Sequence, residues 1–454
     1  MLSSATGALA DLRSRLDGQV TVTGDDGWDV ARAIYNLLID QRPAAVVEPA
    51  NAADVAATVR FAAENGLRVA AQSTGHGAGP LALDENTLLL RTAGLDELSI
   101  DGSARRARTG AGVRFGPVAE AASEHGLAPL SGSSPTVGVV GYSLGGGFGW
   151  LARRYGLQAN AVTAVELVTA DGEQRRVDAD NDPDLFWALR GGGGNFGVVT
   201  ALEFDLFPVP EIYGGVFYFP FERASEVMQA WYSWSRDLPE ELTTVARVFQ
   251  FPPLPFLPEE IRGKSFTVVQ SAFLGSEPEG AELMEPLRAL GPDQDTHAVM
   301  TVSELSHLAM DPEDPVPYRS GAAMLGDIGS EGIDAFLGAA GPGSGSQLVS
   351  CELRRMGGAA ARPGPDHGAR ASLDGEYLMF AVAAVPAPEL EGPLQAQADA
   401  VAEALSPWKD GSYLNFEERP VDATISFDAE TFERLTAVRR SVDPDGLFVA
   451  SHPI

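Results

Sequence analysis

The pattern of hydrophobic and polar positions changes near residue 206. Before that point, apolar residues recur at helical spacing, as at Val55, Val59 and Ala62 of an expected helix over residues 54–63. These helical patterns alternate with short apolar runs and glycine-rich loops, which is typical of α/β units. Beyond it, alternating runs separated by helical patterns predict an antiparallel sheet covered by helices on one face. The runs are YGGVFYF, TTVARVFQF, KSFTVVQSAF, LVSCELRRM and EYLMFAVAA.

These patterns predict three segments with different roles in the fold. Residues 1–205 are expected to form a first domain of α/β type, and residues 206–410 a second domain that contains the antiparallel sheet. The remaining residues, 411–454, are expected to return to the first domain and to end in a helix. A PVP sequence at 208–210 marks the crossing between the domains, because proline interrupts regular structure.

The charge balance narrows the range of partners. Among 454 residues, 32 are basic and 63 acidic, which gives a net charge of −31. Such a surface repels phosphate backbones and anionic lipids, so we expect neither nucleic acid nor a membrane as a partner. The first residues lack a charged start followed by an apolar run, and we therefore expect a cytoplasmic protein.

Cysteine and histidine usage restricts the chemistry further. The single cysteine, Cys351, rules out an internal disulfide framework and an all-cysteine zinc site. The six histidines do not occur in pairs with the spacing of metal ligands. No metal site is predicted.

Glycine is the residue in excess, with 50 of 454 positions, about 11% against a usual ~7%. The most informative glycines lie in three stretches, called here the first, second and third glycine segments, at residues 75–79, 132–149 and 191–197. In the first segment, glycines flank His76 on both sides and place an imidazole on a loop of bare backbone. Such loops present successive N–H groups to anions. A phosphate can therefore bind here without added positive charge.

Two short motifs within the glycine segments match the signatures of other functions. Gly192, Gly194 and Gly197 satisfy the GxGxxG pattern, but a dinucleotide site needs a strand before the glycines and a helix after them, and here the order is reversed. A Rossmann site is therefore not expected. Residues 141–145 satisfy GxSxG and make Ser143 the nucleophile of a serine hydrolase, the alternative from another class. The glycines after Ser143 disfavour the helix that this motif requires.

Four motifs in order along the chain resemble the FAD-linked oxidases of the vanillyl-alcohol-oxidase and p-cresol-methylhydroxylase fold, most closely the berberine-bridge-enzyme-like branch. They are RPAAVVEPANAADVAATVRFAAENGLRVAAQSTGH, SSPTVGVVGYSLGGGFGWLARRYGL, DLFWALRGGGGNFGVVT, and YLNF followed later by DPDGLF. The resemblance covers nearly the whole chain. It implies an α+β fold, a two-domain flavoprotein with a PCMH-type FAD-binding domain of two α/β subdomains and an antiparallel-sheet substrate domain.

Carried over residue by residue, the resemblance implies that FAD is the cofactor and that His76 is covalently attached to its 8α-methyl group. Bicovalent relatives also use a cysteine, and at the matching position this chain has Ser134, so a single attachment is expected. The resemblance further implies cofactor contacts from Gln72, Ser73, Thr74, Gly75, Gly77, Ala78, Ser134, Pro135, Val137, Gly138, Gly141, Tyr142, Gly146, Gly147, Gly149, Gly197, Val198, Val199, Asn415 and Phe416.

Two residues of the second glycine segment bear on the chemistry. Val137 matches the position that governs oxygen access to the flavin in related enzymes, and valine there resembles the oxidase form. Tyr142 stands where many members have a histidine near the N1 and C2 edge of the flavin ring. The resemblance implies that Tyr142 hydrogen-bonds the reduced flavin; a purely packing role is the alternative.

The C-terminal motif departs from the family pattern. Many members carry Tyr-x-Asn-Tyr, whose second tyrosine takes a proton from the substrate, whereas this chain has Tyr413 and ends the motif with Phe416. A phenylalanine cannot accept a proton. The base is then Tyr413, Tyr142, Tyr377 or Glu352, or no base of this kind is used.

Strand alternation places Glu352 and Arg354 on one face of the sheet and Cys351 and Leu353 on the other. The alternation does not reveal which face meets the cofactor. Because carboxylates are mostly exposed in folded proteins, we expect Glu352 to be a solvated residue of the sheet.

The resemblance implies an oxidase that takes a hydride from a small organic substrate, such as an alcohol, an amine or an activated ring carbon. The electrons would pass to O2 and form H2O2. The alternatives of the same fold are a dehydrogenase, a monooxygenase and a flavoprotein that has lost catalysis. The serine hydrolase acting through Ser143 is the alternative from a different class.

Overall fold

The computed structural model describes residues 2–81, 83–253, 255, 259 and 261–454, with side chains from residue 9 onward. None of the helices in these ranges combines the length and apolar character needed to span a bilayer.

The chain up to residue 205 contains short parallel and longer antiparallel strands with helices between them. Its helices are α1 (Leu2–Arg15), α2 (Trp28–Ala31), α3 (Ala52–Asn65), α4 (Phe115–Ser123), α5 (Val139–Leu144), α6 (Ala152–Tyr155), α7 (Gln158–Ala161) and α8 (Pro183–Leu189). Its strands are β1 (Gln19–Thr21), β2 (Ala45–Glu48), β3 (Arg68–Gln72), β4 (Thr87–Arg91), β5 (Leu98–Asp101), β6 (Arg106–Gly110), β7 (Leu127–Ala128), β8 (Val162–Val168), β9 (Gln174–Asp178) and β10 (Val198–Asp205).

These strands form two sheets that share one apolar core. The first sheet has the order β1-β2-β4-β3, with β2, β4 and β3 parallel and β1 antiparallel at the edge. The second has the order β5-β6-β10-β8-β9 and is antiparallel throughout. Buried side chains of both sheets, such as Leu88 and Val165, belong to one cluster together with α3 and α8.

Helix α3 shows how local sequence directs the chain into the first glycine segment. The side chain of Asn51 accepts a hydrogen bond from the Asp54 N–H at 3.0 Å and caps the start of the helix. Gly66 ends it with a φ of 66°, a conformation that glycine adopts without strain. The expected helix over 54–63 is confirmed. Strand β3 then runs to Gln72, directly before the loop that carries His76.

The rest of the chain contains longer strands and the helices that pack on them. The helices are α9 (Ala224–Ser235), α10 (Glu277–Arg288), α11 (Val302–Leu305), α12 (Gly329–Ala340), α13 (Glu391–Ala404) and α14 (Ala429–Val442). The strands are β11 (Phe207–Pro208), β12 (Ile212–Pro220), β13 (Leu242–Gln250), β14 (Ser265–Phe273), β15 (Gln294–Asp295), β16 (Ala298–Met300), β17 (Tyr318–Leu325), β18 (Ser350–Arg355) and β19 (Tyr377–Ala384).

A large antiparallel sheet dominates this second part, with the order β15-β12-β14-β13-β18-β19-β17 and with β16 also paired to β12. The five alternating runs correspond to β12, β13, β14, β18 and β19, so the expected antiparallel pairing is confirmed. The sequence did not indicate β17, because its run YRSGAAML consists largely of small residues that blur the alternation.

The two faces of the large sheet have different neighbours. Helices α9, α10, α12 and α13 cover one face, where Trp231, Phe336, Cys351 and Leu353 share a buried cluster. The opposite face packs on the first domain, for example through Val245 against the region of α6. Because side chains alternate along a strand, Glu352 and Arg354 on β18 point toward the first domain. The boundary between the domains is therefore where polar groups of the sheet meet the glycine segments.

The C-terminal segment after α14 runs alongside β3. Val69 donates its N–H to the Leu447 carbonyl at 2.9 Å, and Val449 donates to the Val69 carbonyl at 2.9 Å. This pairing brings the last residues of the chain next to the first glycine segment, where the Ser451 hydroxyl donates to the Gly77 carbonyl at 2.7 Å.

Candidate active site

The first glycine segment holds His76 in a defined orientation. Gly75 has a φ of 82°, and a side chain there would stand 2.6 Å from the side chain of Ile34, so glycine is required. The Nδ1 atom of His76 lies 2.7 Å from the Thr74 hydroxyl, and the imidazole stacks on the Tyr35 ring with centroids 3.8 Å apart. Burial, with a smaller contribution from the positive charge of Arg114, lowers the pKa of His76 to about 4. The imidazole is therefore neutral at physiological pH.

The second glycine segment faces His76 across a narrow gap. The Nε2 atom of His76 lies 3.5 Å from the Thr136 hydroxyl, which in turn lies 2.9 Å from the Ser134 hydroxyl. Gly138 approaches the first segment so closely that a Cβ atom there would be 3.0 Å from the Ser73 hydroxyl. The backbone carbonyls of Pro135 and Val137 accept hydrogen bonds from the start of α4 and fix this stretch.

The glycines after α5 allow close backbone packing rather than flexibility. A Cβ atom on Gly149 would lie 1.8 Å from the carbonyl oxygen of Ser131, and one on Gly147 would lie 2.5 Å from the Tyr142 ring. The end of the second glycine segment therefore packs directly against its first residue, Gly132, and the preceding Ser131. A Cβ atom added at Gly146 would lie 3.1 Å from the Arg370 side chain and 3.4 Å from the Tyr413 ring.

The C-terminal motif clamps this loop. The Tyr413 hydroxyl oxygen accepts hydrogen bonds from the N–H groups of Gly147 at 2.8 Å and Phe148 at 3.1 Å, and from the Asn415 amide at 3.0 Å. Asn415 also donates to the Tyr142 carbonyl at 3.1 Å. Burial raises the pKa of Tyr413 to about 12 although these donors act in the opposite direction. Tyr413 and Asn415 thus support the second glycine segment through these hydrogen bonds. A proton-accepting role for Tyr413 stays a prediction.

The third glycine segment is tied to the chain terminus. The Asn195 amide donates to the carbonyls of Gly192 at 2.9 Å and His452 at 3.1 Å. Gly197 opens β10, where Val198 and Val199 are buried within the core of the first domain. The segment therefore joins the site mainly through its backbone.

Several buried polar groups around these loops fit a large polar ligand. The side-chain amides of Gln72 and Gln158, the Tyr142 hydroxyl, and Nε and Nη2 of Arg370 have no hydrogen-bond partner within the described part of the chain. Leaving such a group unsatisfied costs about 1–3 kcal/mol. Added Cβ atoms at Gly77 and Gly141 would meet no protein atom within 4 Å. A buried guanidinium and unpaired side-chain donors suit the diphosphate and the polar ring edges of a flavin dinucleotide.

A cluster of four charged side chains on the sheet side faces these loops. This roof cluster consists of Arg247, Asp311, Glu352 and Arg354. Glu352 forms ion pairs with both Arg247 and Arg354, and the Ser133 hydroxyl donates to Asp311 at 2.9 Å. The expectation that Glu352 is solvated is wrong: it is 2% exposed, because β13 places Arg247 directly opposite it.

The two carboxyl groups of the roof cluster have opposite pKa shifts. Burial would raise the pKa of Glu352, but the guanidinium groups of Arg247 and Arg354 outweigh burial and lower it. Burial raises the pKa of Asp311, although the same two arginines partly oppose this effect. Such a divergence is typical of sites where one group stays ionised and the other exchanges a proton.

Phe416 lies between Arg354 of the roof cluster and Tyr413. Its ring makes an edge contact with Phe380 on β19 at 5.1 Å, and the Arg354 guanidinium carbon lies 5.2 Å from its centroid. Tyr377, another candidate base, lies on the opposite face of β19 in the cluster under the helices, with its hydroxyl 3.4 Å from that of Ser235. The structure therefore removes Tyr377 from the site.

Comparison with known proteins supports the flavin assignment. The FAD binding domain family matches residues 43–178. The structure superposes on 6-hydroxy-D-nicotine oxidase from Arthrobacter nicotinovorans with a TM-score of 0.80 and 26% identity, over 95% of this chain and 96% of the other. The chain is an FAD-linked oxidoreductase with the PCMH-type fold. This result confirms the expected α+β fold class, the family resemblance and the use of FAD.

Two further similarities extend the comparison of this FAD-linked oxidoreductase. Physcomitrella patens BBE-like 1 shares the fold with a TM-score of 0.84 and 21% identity, over 98% of each chain. (R)-6-hydroxynicotine oxidase of Paenarthrobacter nicotinovorans is 37% identical over 195 residues, which make up 43% of each chain. The aligned part thus spans less than half of that curated relative.

In the FAD-linked oxidoreductase, the position of Ser143 does not allow it to act as the nucleophile of a serine hydrolase. Ser143 lies inside α5, is 1% exposed and donates its hydroxyl to the Val139 carbonyl at 2.7 Å. One Ser-His-Asp line does exist: His297 lies 2.7 Å from both Ser271 and Asp295. However, Ser271 is fully buried, so no substrate can reach it.

Sequence reasoning missed three residues of the FAD-linked oxidoreductase site. Tyr35, Asp311 and Arg370 lie in stretches without regular secondary structure, where hydrophobic periodicity carries no information. Arg370 enters the site because its N–H donates to the Arg190 carbonyl at 3.1 Å, next to the third glycine segment. For Arg370, the only signal in the sequence was a basic residue in a loop that contains glycines.

Proposed function

We propose that the protein is an FAD-dependent oxidase that carries its FAD on His76 and oxidises a small organic substrate with O2. The observation that carries the proposal is a neutral, ring-stacked imidazole on a glycine loop that faces the second glycine segment. A neutral imidazole is the form that can act as a nucleophile. Ser134, at the position where bicovalent relatives have a cysteine, offers no thiol for a second attachment.

The three glycine segments would hold the cofactor. Residues 72–79 would wrap around the diphosphate, and residues 134–149 would line the flavin ring. Arg370 supplies a buried guanidinium whose pKa is lowered to about 10, chiefly by burial, and which an anionic ligand group would stabilise. When bound, FAD accepts a hydride from the substrate and returns the electrons to an acceptor.

The substrate would bind between the roof cluster and the second glycine segment. Two of the similar proteins are named for a small organic molecule, hydroxynicotine. For this chain the proposed substrate is likewise a small organic molecule: an alcohol, an amine or a compound with an activated ring carbon. Two arginines hold Glu352 ionised, which makes it a weak base. Because Phe416 has no hydroxyl, a proton that leaves the substrate would go to the Asp311 carboxylate, whose pKa is raised by burial. The Tyr142 hydroxyl, whose pKa burial raises well above its ordinary value, would stay protonated and donate a hydrogen bond.

Use of O2 is tested by reoxidation of the reduced protein. We expect dithionite-reduced protein to recover its yellow absorbance within seconds in air-saturated buffer and to form one H2O2 per flavin. The Val137→Leu variant should reoxidise about tenfold more slowly, which corresponds to about 1.4 kcal/mol on the barrier, because Val137 matches the position that governs oxygen access.

The control for this variant is Val30→Leu, since Val30 is 81% exposed and far from the glycine segments in sequence. It should reoxidise like the wild type. Persistence of the bleached form for minutes in the wild type would contradict the oxidase and favour a dehydrogenase of the same fold.

A further inference from the structure

The roof cluster combines charged side chains from three parts of the second domain. Arg247 lies on β13, Glu352 and Arg354 lie on β18, and Asp311 lies between α11 and β17. Glu352 forms ion pairs with both arginines. When both carboxyl groups are ionised, the two positive and the two negative charges cancel, and the cluster is neutral as a whole.

The hydroxyl of Ser133 connects the roof cluster to the second glycine segment. It donates a hydrogen bond to Asp311 at 2.9 Å and accepts one from Nη2 of Arg354 at 3.3 Å. Ser133 and Arg354 also line a cavity of about 10 Å³ together with Gly149 and Trp150. The charges of the cluster therefore act at the boundary with the segment that is proposed to line the flavin ring.

Asp311 is the member of the roof cluster whose charge can change. The two arginines lower the pKa of Glu352 against the effect of burial and keep it ionised, whereas burial raises the pKa of Asp311. A guanidinium group does not lose its proton in proteins. When Asp311 takes up a proton, Arg247 and Arg354 are therefore opposed by Glu352 alone, and the cluster gains one net positive charge.

We propose that the roof cluster serves the reaction of the reduced flavin with O2, because the proton that Asp311 takes from the substrate leaves the cluster positively charged for this second half of the reaction. The inference rests on the proposed oxidase function. Asp311 thus couples the two halves: it stores the substrate proton, and the charge that this proton creates stabilises the anion formed from O2.

The positive charge matters because the first electron that reaches O2 creates an anion, superoxide. A fixed positive charge beside a developing anion stabilises it, most of all where water is excluded. Arg247 and Glu352 are each 2% exposed, so water screens the cluster little. Overall, O2 takes two electrons and one proton from the reduced, anionic flavin and one proton from Asp311. The products are oxidised flavin, H2O2 and the Asp311 carboxylate, and the cluster is neutral again.

The test follows reoxidation of photoreduced protein by O2 in a stopped-flow spectrometer as the pH is varied, and it requires no substrate. Below the folded-state pKa of Asp311 the cluster carries its positive charge, and above that pKa the charge is lost. The wild-type rate constant should therefore fall about tenfold as the pH rises through this pKa. Asp311→Asn cannot ionise and keeps the positive charge, so it should react at alkaline pH about as fast as the wild type does under acidic conditions.

The matched control is Asp314→Asn, which removes an exposed carboxylate from the same segment and should keep the wild-type pH profile. Two other ionisable groups of the region do not affect this comparison. Burial, more than the neighbouring carboxylates, raises the pKa of Tyr35, which stays protonated. Burial also raises the pKa of Glu418 to about 7, but this group titrates in the wild type and in both variants alike.

A second pair of variants changes the positive charge itself. Arg354→Met should slow reoxidation about tenfold under acidic conditions, whereas Arg354→Lys keeps the charge and should lose much less. A wild-type pH profile in Asp311→Asn, or equal rates for the two Arg354 variants, would overturn the inference but leave the oxidase intact. Failure of the reduced wild type to react with O2 would instead overturn the proposed function. If Arg354→Met does not fold, the Asp311 and Asp314 variants decide the question.

Discussion

Replacement of Glu352 by glutamine is expected to lower the free energy of unfolding by roughly 3–5 kcal/mol, the usual cost of leaving a buried charge without its partner. Glu352 is 2% exposed and pairs with Arg247, which is also 2% exposed, and with Arg354. Glutamine keeps the shape but removes the negative charge, so two guanidinium groups would remain in the domain boundary with a single carboxyl group, Asp311, nearby. Urea unfolding followed by tryptophan fluorescence measures the loss.

The difference between the two proteins should depend on pH in a defined direction. The pKa of Glu352 is lowered in the folded state, so its contribution is fully present above the ordinary carboxyl pKa and is lost as the pH falls through the folded-state pKa. The pKa of Asp311 is raised, and its ionisation has the opposite effect in both proteins. The wild type and Glu352→Gln should therefore converge in stability under acidic conditions.

The matched control is Glu376→Gln. This change removes a carboxylate from a more exposed ion pair with Arg355, the last residue of β18. Glu376 lies 2.9 Å from Arg355, and its side chain is 47% exposed. Such pairs contribute about 0–1 kcal/mol. Equal losses for the two variants, or a Glu352→Gln protein as stable as the wild type at neutral pH, would contradict a buried ion-pair cluster in the roof.

Replacement of Gly149 by alanine is expected to prevent incorporation of FAD, because the cofactor has to bind before it can be attached to His76. The added Cβ atom would lie 1.8 Å from the Ser131 carbonyl oxygen and 3.0 Å from the Gly132 Cα atom. Because both contacts are to backbone, no side-chain rotation relieves them, and the two ends of the second glycine segment must separate. The ratio of flavin to protein absorbance after gel filtration measures retention.

A second glycine variant serves as the control. Gly338 lies at an exposed position inside α12, and an added Cβ atom would meet nothing within 4 Å. Gly338→Ala should retain FAD fully and raise the stability by roughly 0.5–1 kcal/mol, because alanine loses less conformational freedom in a helix. A Gly149→Ala protein that keeps its full flavin content would show that this contact does not shape the cofactor site.

The sequence allowed prediction of those features that depend on neighbours along the chain. Helix α3 follows from its apolar spacing, and five strands of the large sheet, β12, β13, β14, β18 and β19, follow from alternation. His76 could be singled out because two glycines flank it. These signals involve only a few adjacent residues, so they can be recognised without knowledge of the fold.

The remaining features depend on contacts between distant parts of the chain. Glu352 is buried because Arg247 faces it from β13, more than a hundred residues earlier. Tyr35 reaches His76 because the backbone of residues 35–37 pairs with Val316 of the second domain. The role of Tyr413 as acceptor for two backbone N–H groups likewise arises only when the C-terminal segment returns. No local pattern encodes such encounters.

Covalent attachment of FAD to His76 is tested most directly by acid precipitation of the purified protein. The account predicts that the yellow colour stays in the pellet of the wild type and that a proteolytic peptide containing His76 carries the mass of the flavin. His76→Ala should release all flavin into the supernatant, whereas Ser134→Ala should behave like the wild type. A colourless protein, or wild-type colour that moves wholly to the supernatant, would contradict the account.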